Sequence, residues 1–133
     1  MAPISIHPAH SRPAAIRPRR VALAYSGGLA SSCLIPWLKQ HYGCEVIAVA
    51  ADIGQPEGVA GLEQRALASG AAACHVLDLR EALLTEHLFP VLQAGVPHDR
   101  DVLSGPAMAY PLIARHQVEI ALREDCDALA HGA

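Results

Sequence analysis

Residues 24–32 read A-Y-S-G-G-L-A-S-S and follow directly on an apolar run. Adjacent glycines between a strand and a helix let backbone N–H groups approach a ligand without an intervening Cβ. The helix that follows presents the positive end of its dipole. Such a turn is suited to holding an anion, a phosphate above all. Ser26, Ser31 and Ser32 add hydroxyl donors around Gly27 and Gly28. Yet no lysine occurs before Lys39, and Ala30 stands where the first helical turn has room for an acid. A Walker-type loop, G-x-x-x-x-G-K-[ST], is therefore excluded, as is a dinucleotide fingerprint, which needs a third glycine. From these residues alone, a phosphate cradle and an ordinary tight turn both stay open.

The other chemistry-bearing side chains are dispersed. Cys33, Cys44, Cys74 and Cys126 form no C-x-x-C pair, and of eight histidines only His7 and His10 lie close together. No structural metal site is expected from that spacing. Without a secretory signal the thiols read as reduced, in a cytoplasmic protein. A net charge of −3 gives no basic field for nucleic acid, and no apolar run approaches the roughly 20 residues that cross a bilayer. Neither nucleic acid nor membrane is an expected partner. The arginines cluster only at Arg12, Arg17, Arg19 and Arg20, in a Pro-rich, acid-free start, so residues 1–20 are expected to be a flexible basic arm.

The elements that must position the turn follow from hydrophobic patterning. The chain of 133 residues is 52% apolar, enough for one packed core. RVALAY (20–25), EVIAVA (45–50), ACHVL (73–77) and DALAH (127–131) are continuous apolar segments of strand length, as expected of strands buried on both faces. Between them lie helical stretches over about Leu29 to His41, stopped by Gly43, and about Val59 to Ser69, capped by Gly70. A longer connection holds LREALLTEHLFPVLQ, a Pro/Gly-rich link, and YPLIARHQVEIALRED, where Leu112, Ile113, Ile120 and Ala121 share a face and Glu119 precedes Arg123 by four. Pro36 falls inside the first helix and predicts a kink or a late start. The order implies an open, parallel α/β sheet flanked by helices. Such sheets bind ligands at the carboxyl ends of their strands, where SGG, ADIGQ and HGA all fall.

Taken together, VALAYSGGLASS, WLKQHYGCEVIAVAADIGQ, LIARHQVEIALRE and HGA, in this order, resemble the start of argininosuccinate synthase. The resemblance covers residues 21–133 and is weakest between Gln55 and Gly105. Other pyrophosphatase-loop enzymes share an SGG-type start but not the later segments. It implies a Rossmann-like, adenine nucleotide alpha-hydrolase-like fold, ATP and Mg²⁺ as cofactors, and a ligase of arginine biosynthesis. In that family the ureido oxygen of citrulline attacks the α-phosphate, pyrophosphate leaves, and the amine of aspartate displaces AMP. By the same resemblance the first ATP loop is Ala24, Tyr25, Ser26, Gly27, Gly28, Leu29, Ala30, Ser31 and Ser32. Ala51 lies beside the adenine, and Ala130, His131, Gly132 and Ala133 begin a second loop.

Departures from the family pattern are equally specific. The family loop reads S-G-G-L-D-T-S, so Ala30 replaces an aspartate. Where the family has R-Y-L-L-G-T-S-L-A-R-P, this chain has RDVLSGPAMAYP. Asp101 or Val102 then falls at the citrulline-contacting tyrosine, Ala107 replaces a serine and Tyr110 an arginine. The family continues HGA with T-G-K-G-N-D, which binds aspartate, and then with a synthetase domain. The expectation is that this chain alone does not catalyse the ligation. A non-catalytic nucleotide-binding or interaction module, and half of a split ligase with a different amino-acid substrate, are the alternatives. A separate synthetase domain or a homo-oligomer are the expected protein partners. Among single residues, Asp52 suits ribose, metal or loop capping. His131, Arg115 and Glu119 read as structural or solvated, and Trp37 and Phe89 as core.

Overall fold

The computed structural model describes residues 17–95 and 105–132. β1 (Arg20–Ala24) and β2 (Glu45–Asp52) are the centre of an all-parallel sheet of order β3-β2-β1-β4. The edges are β3 (Ala73–Asp78) and β4 (Ala128–Ala130). Val21 stands opposite Val46 on one side and Ala128 on the other. Val21 to Leu23 and Val46 to Ala50 are at most 2% exposed. Burial on both faces is why these segments read as unbroken apolar runs and not as alternating ones. Val21, Leu23 and Val46 pack with Ile35, Leu38, Leu62 and Ala66 under α1 (Leu29–Tyr42) and α2 (Leu62–Ala68). Ala22, Ile47 and Val49 pack with Ile120 and Ala121 of α5 (Gly105–Arg123) on the other face.

The expected sheet class is therefore observed, and the helices differ in detail. α1 begins at Leu29, so Pro36 does not delay it. The ring lies on an exposed position, and the missing N–H removes one hydrogen bond without ending the helix. Gly43, with φ of 66°, donates to Lys39 O at 2.9 Å and closes it. α2 begins at Leu62 and not Val59, because Gly58 and Gly61 hold left-handed φ of 64° and 72°, which a helix cannot continue through. After β3 the chain forms α3 (Arg80–Ala82), a π-helical turn (Leu83–Leu88) and α4 (Phe89–Gln93). α5 starts at Gly105, absorbing part of the expected link, since Pro106 suits a first helical turn. Residues 1–16, which hold most of the expected arm, and 96–104, with Asp101 and Val102, lie outside the described residues.

Two side-chain expectations are corrected. Trp37 and Phe89 are not core residues: they are 45% and 49% exposed. Ile35 and Leu38 take the buried face of α1, leaving Trp37 to stack on His41 with ring centroids 4.2 Å apart, and none of residues 80–93 is buried. Glu119 does not pair forward with Arg123 but sits 2.9 Å from His116 Nδ1, while Arg115 reaches Glu86 of the π turn at 2.9 Å. Arg115 thereby ties α5 to the preceding helical run.

On the buried face of α5, Leu112, Ile120 and Ala121 are joined by a residue the pattern did not single out. Gln117 is 7% exposed, and its Nε2 donates to Ala22 O at 2.9 Å and Ala130 O at 3.0 Å. One amide thus clasps β1 and the short edge strand β4 from beneath. Gln117→Leu keeps the volume but strands both carbonyl contacts. It is expected to lower stability by about 1 to 3 kcal/mol in urea unfolding, and a loss below about 0.5 kcal/mol contradicts this role.

Candidate functional site

The sheet order reverses between β1 and β4, and the turn that leaves β1 lies at that point. Tyr25, the residue after β1, is buried and still donates its N–H to Val49 O of β2 at 2.8 Å. The chain then reverses at Gly27, whose φ of 77° L-residues rarely adopt. A Cβ there would also overlap Cδ2 of Leu62, so both backbone and packing demand glycine. Gly28 caps α1 without any side-chain cap, and the first bond of the helix runs from Ser32 N–H to Gly28 O at 3.0 Å. The amides of Leu29, Ala30 and Ser31 precede that bond and find no acceptor among the described residues. They point out of the helix end. No acid in the first turn neutralises the positive end of the dipole, and Leu29 and Ala30 are exposed.

The hydroxyls behave differently from expectation. Ser31 is 4% exposed, donates to Gly28 O at 3.1 Å and lies 3.2 Å from Ser26 Oγ. Ser32 Oγ lies 3.1 Å from the Tyr25 hydroxyl. Ser31 and Ser32 brace the turn from inside, and only Ser26 is exposed.

Two neighbouring segments meet this turn, the one through Gly132 and the start of α2, and the loop after β2 leaves the same edge of the sheet. A Cβ on Gly132 would stand 3.2 Å from Leu34 Cδ1 and 3.8 Å from Ser31 N, so the chain leaving Ala130 crosses the first turn of α1. His131 beside it is exposed, and Ala133 lies outside the described residues. Ala51 ends on a folded-back loop: Gln55 donates to Ala51 O at 3.0 Å and accepts from Ile53 N–H at 2.9 Å. Asp52 Oδ1 accepts from Gly54 N–H at 2.9 Å, which makes it a loop cap, with Arg80 3.7 Å from its other oxygen. From α2, the Arg65 guanidinium reaches Gly27, with Nη2 3.2 Å from where a side chain would begin. Sequence reasoning missed Arg65. The available sign was its place one helical turn after Leu62, on the face that packs against the glycine.

Ala107 and Tyr110 are exposed on the first turns of α5. Gln117 is already level with Ala130, so the helix before it rises past the strand ends by about 1.5 Å per residue. No contact joins either residue to the glycine turn. No cluster of three His, Cys, Asp or Glu side chains that could hold a metal ion occurs among the described residues. The cavity of about 630 Å³ lined by Arg19, Arg20, Glu45 and Asp127 lies at the opposite, amino edge of the sheet. There the arginines already face Glu45, Glu124 and Asp127.

A parallel α/β sheet with an open helix end at its switch point defines the class of α/β domains that hold ligands at the carboxyl edge. Residues 20–133 match the family model described as arginosuccinate synthase N-terminal HUP domain, and the chain belongs to that family. It is 55% identical over 117 residues to the argininosuccinate synthase of Erwinia tasmaniensis and 54% over 117 to that of Photorhabdus laumondii. The argininosuccinate synthase of a Roseiflexus species is 55% identical over 114 residues. These alignments cover 85–86% of this chain and 28–29% of the relatives, so the chain spans under a third of their length. In fold it is similar to the "predicted subunit of tRNA methyltransferase" of Methanocaldococcus jannaschii, with a TM-score of 0.53 at 22% identity over 86% of this chain and 52% of that one.

Two outcomes are expected from this geometry. Gly27→Ala forces a left-handed L-residue and a collision with Leu62, and should lower stability by at least about 1 to 3 kcal/mol in urea unfolding. The carboxyl of Asp78, hydrogen-bonded to Arg80 at 2.9 and 2.7 Å, is held down to about 2 from an ordinary 3.8. A depressed carboxyl stabilises above its unfolded value and loses that effect as pH falls through the folded one. The stability gap between the wild type and Asp78→Asn should therefore be full above about pH 5, shrink on acidification, and vanish only below about pH 2, as followed by unfolding at each pH.

Proposed function

We propose that this region binds ATP at the amino end of α1 and serves the ATP-dependent ligation of a citrulline-like amino acid to aspartate, in arginine biosynthesis. The observation that carries the reading is the row of amides at Leu29, Ala30 and Ser31 that find no acceptor among the described residues, opened by a turn at which Gly27 holds a left-handed φ. ATP, when bound, supplies the group that activates the ureido oxygen, with pyrophosphate leaving. The chain's own part is to hold the phosphates on backbone donors, with exposed Ser26 at the mouth. Ala51 leaves room for the adenine ring, and Gly132 lets the second loop approach the first turn without a side chain. Ser26 to Ser32, with Ala24 and Tyr25 anchoring them to the sheet, form the first loop, and Ala130 to Ala133 the second.

Mg²⁺ arrives on the phosphates in this reading, since Ala30 offers it no carboxylate. Ala107 and Tyr110 weaken the hold on the amino-acid end of citrulline, each lost charge-assisted bond being worth about 1.5 to 3 kcal/mol. We therefore read these 133 residues as nucleotide-binding without turnover of their own. The greater length of the relatives supports a further domain as partner. Four free cysteines support the cytoplasm as compartment. Among the described residues no helix is long and apolar enough to cross a membrane.

Gly28→Asp tests the reading without confusing binding with folding. The extended backbone of Gly28, φ −77° and ψ 169°, accepts any residue, and aspartate is a favoured N-cap. Stability should hold within about 0.5 kcal/mol, while the new carboxylate occupies the same amides and repels phosphate. Calorimetric titration with Mg·ATP should show binding by the wild type and its loss by more than about tenfold in the variant. No heat from the wild type at millimolar ATP would leave a module that works through other contacts.

A further inference from the structure

We propose that Arg65 is the cation of this phosphate site, gripping the pyrophosphate portion of the nucleotide from α2 where other phosphate loops use a lysine of their own. The inference rests on the nucleotide reading above and adds to it a residue and a charge requirement. The turn itself carries no basic residue, and the protein as a whole is at −3. A triphosphate brought there meets neutral amides and a helix dipole, equivalent to about half a charge. Beyond the Mg²⁺ carried on the phosphates, a fixed positive charge at this turn has to come from elsewhere in the fold.

Arg65 has the geometry for it. Its Nη2 and Cζ stand 3.2 and 3.6 Å from the point where a side chain on Gly27 would begin, so the guanidinium lies against the face of the turn. Its place is fixed through Leu62, one helical turn earlier, which is 3% exposed and fills the space that Gly27 leaves empty. The guanidinium has no acceptor among the described residues, whereas Arg20, Arg80 and Arg115 face carboxylates and Lys39 donates to Gly70 O. Glu63 is the acid in the first turn of α2, and two positions away on a helix it faces elsewhere. Arg65 is exposed, so a ligand at the turn can reach it. A planar guanidinium with paired N–H donors suits phosphate oxygens, and its charge stays fixed at any working pH.

The rival role is packing alone, the aliphatic stem of Arg65 covering the contact between Leu62 and Gly27. Calorimetry on the 133-residue protein separates the two, with Mg·ATP, inorganic pyrophosphate and AMP titrated into the wild type, Arg65→Gln and Arg65→Lys. A phosphate cation predicts that Arg65→Gln weakens ATP and pyrophosphate about tenfold or more and AMP less than about threefold, with Arg65→Lys recovering part of the loss. Thermal melting of each variant should match the wild type within about 2 °C. If Arg65→Gln binds ATP within about twofold of the wild type, or weakens ATP and AMP alike, the proposal is overturned while nucleotide binding stands. If the wild type binds neither ATP nor pyrophosphate at millimolar concentration, the underlying reading fails and this inference with it.

Discussion

The architecture of the site depends on the fit of Leu62 against Gly27. Because that glycine has no side chain and holds a left-handed φ, the chain can turn sharply out of β1 while the first residue of α2 closes over it. The contact joins β1, α1 and α2 at a single point beside the strand ends. With the turn held so tightly, α1 starts without a side-chain cap, and its first amides are left unpaired. Ser31 and Ser32 reinforce the same outcome by directing their hydroxyls into the turn, towards Gly28 O and Tyr25. An open helix end is costly unless water or a ligand satisfies it, and here the structure keeps it open by rigid packing below.

That rigidity comes from the sheet. The two central strands are covered on both faces and paired on both edges, so the loops at their carboxyl ends spring from a base that cannot shift independently. β4 is the weak member, three residues long and paired on one side only. Gln117 compensates by holding its last carbonyl and that of Ala22 with a single amide. The segment that brings Gly132 over α1 is therefore governed by a polar side chain on the far face of the sheet.

Much of this fold could be read from the chain because its signals are local. Unbroken apolar runs announced the four strands, the glycine pair marked the exit from β1, and Gly43 and Gly70 marked helix ends. Failures came where tertiary placement decides. Trp37 and Phe89 are apolar and large, but Ile35 and Leu38 already take the buried face of α1, and the helical run that holds Phe89 buries none of its residues. Gln117 looked like one polar residue among many, and only the crossing of α5 beneath β1 and β4 gives it a task. Arg65 was missed for a similar reason: 38 positions separate it from Gly27, and its place one turn after Leu62 gains meaning only once that face of α2 is laid against the turn. Val102 and Ala133 lie outside the described residues, and Ala107 and Tyr110 have a location but no contact with the turn.

Trp37 is the protein's only tryptophan, and it stands on the solvent side of α1, stacked on His41 and edge-on to Tyr42 at 5.9 Å. Its ultraviolet fluorescence consequently belongs to one helix, the same helix whose opposite end carries the unpaired amides. Local unwinding of α1 between Trp37 and His41 separates indole from imidazole, so this helix contains its own optical gauge, with no dye or label required.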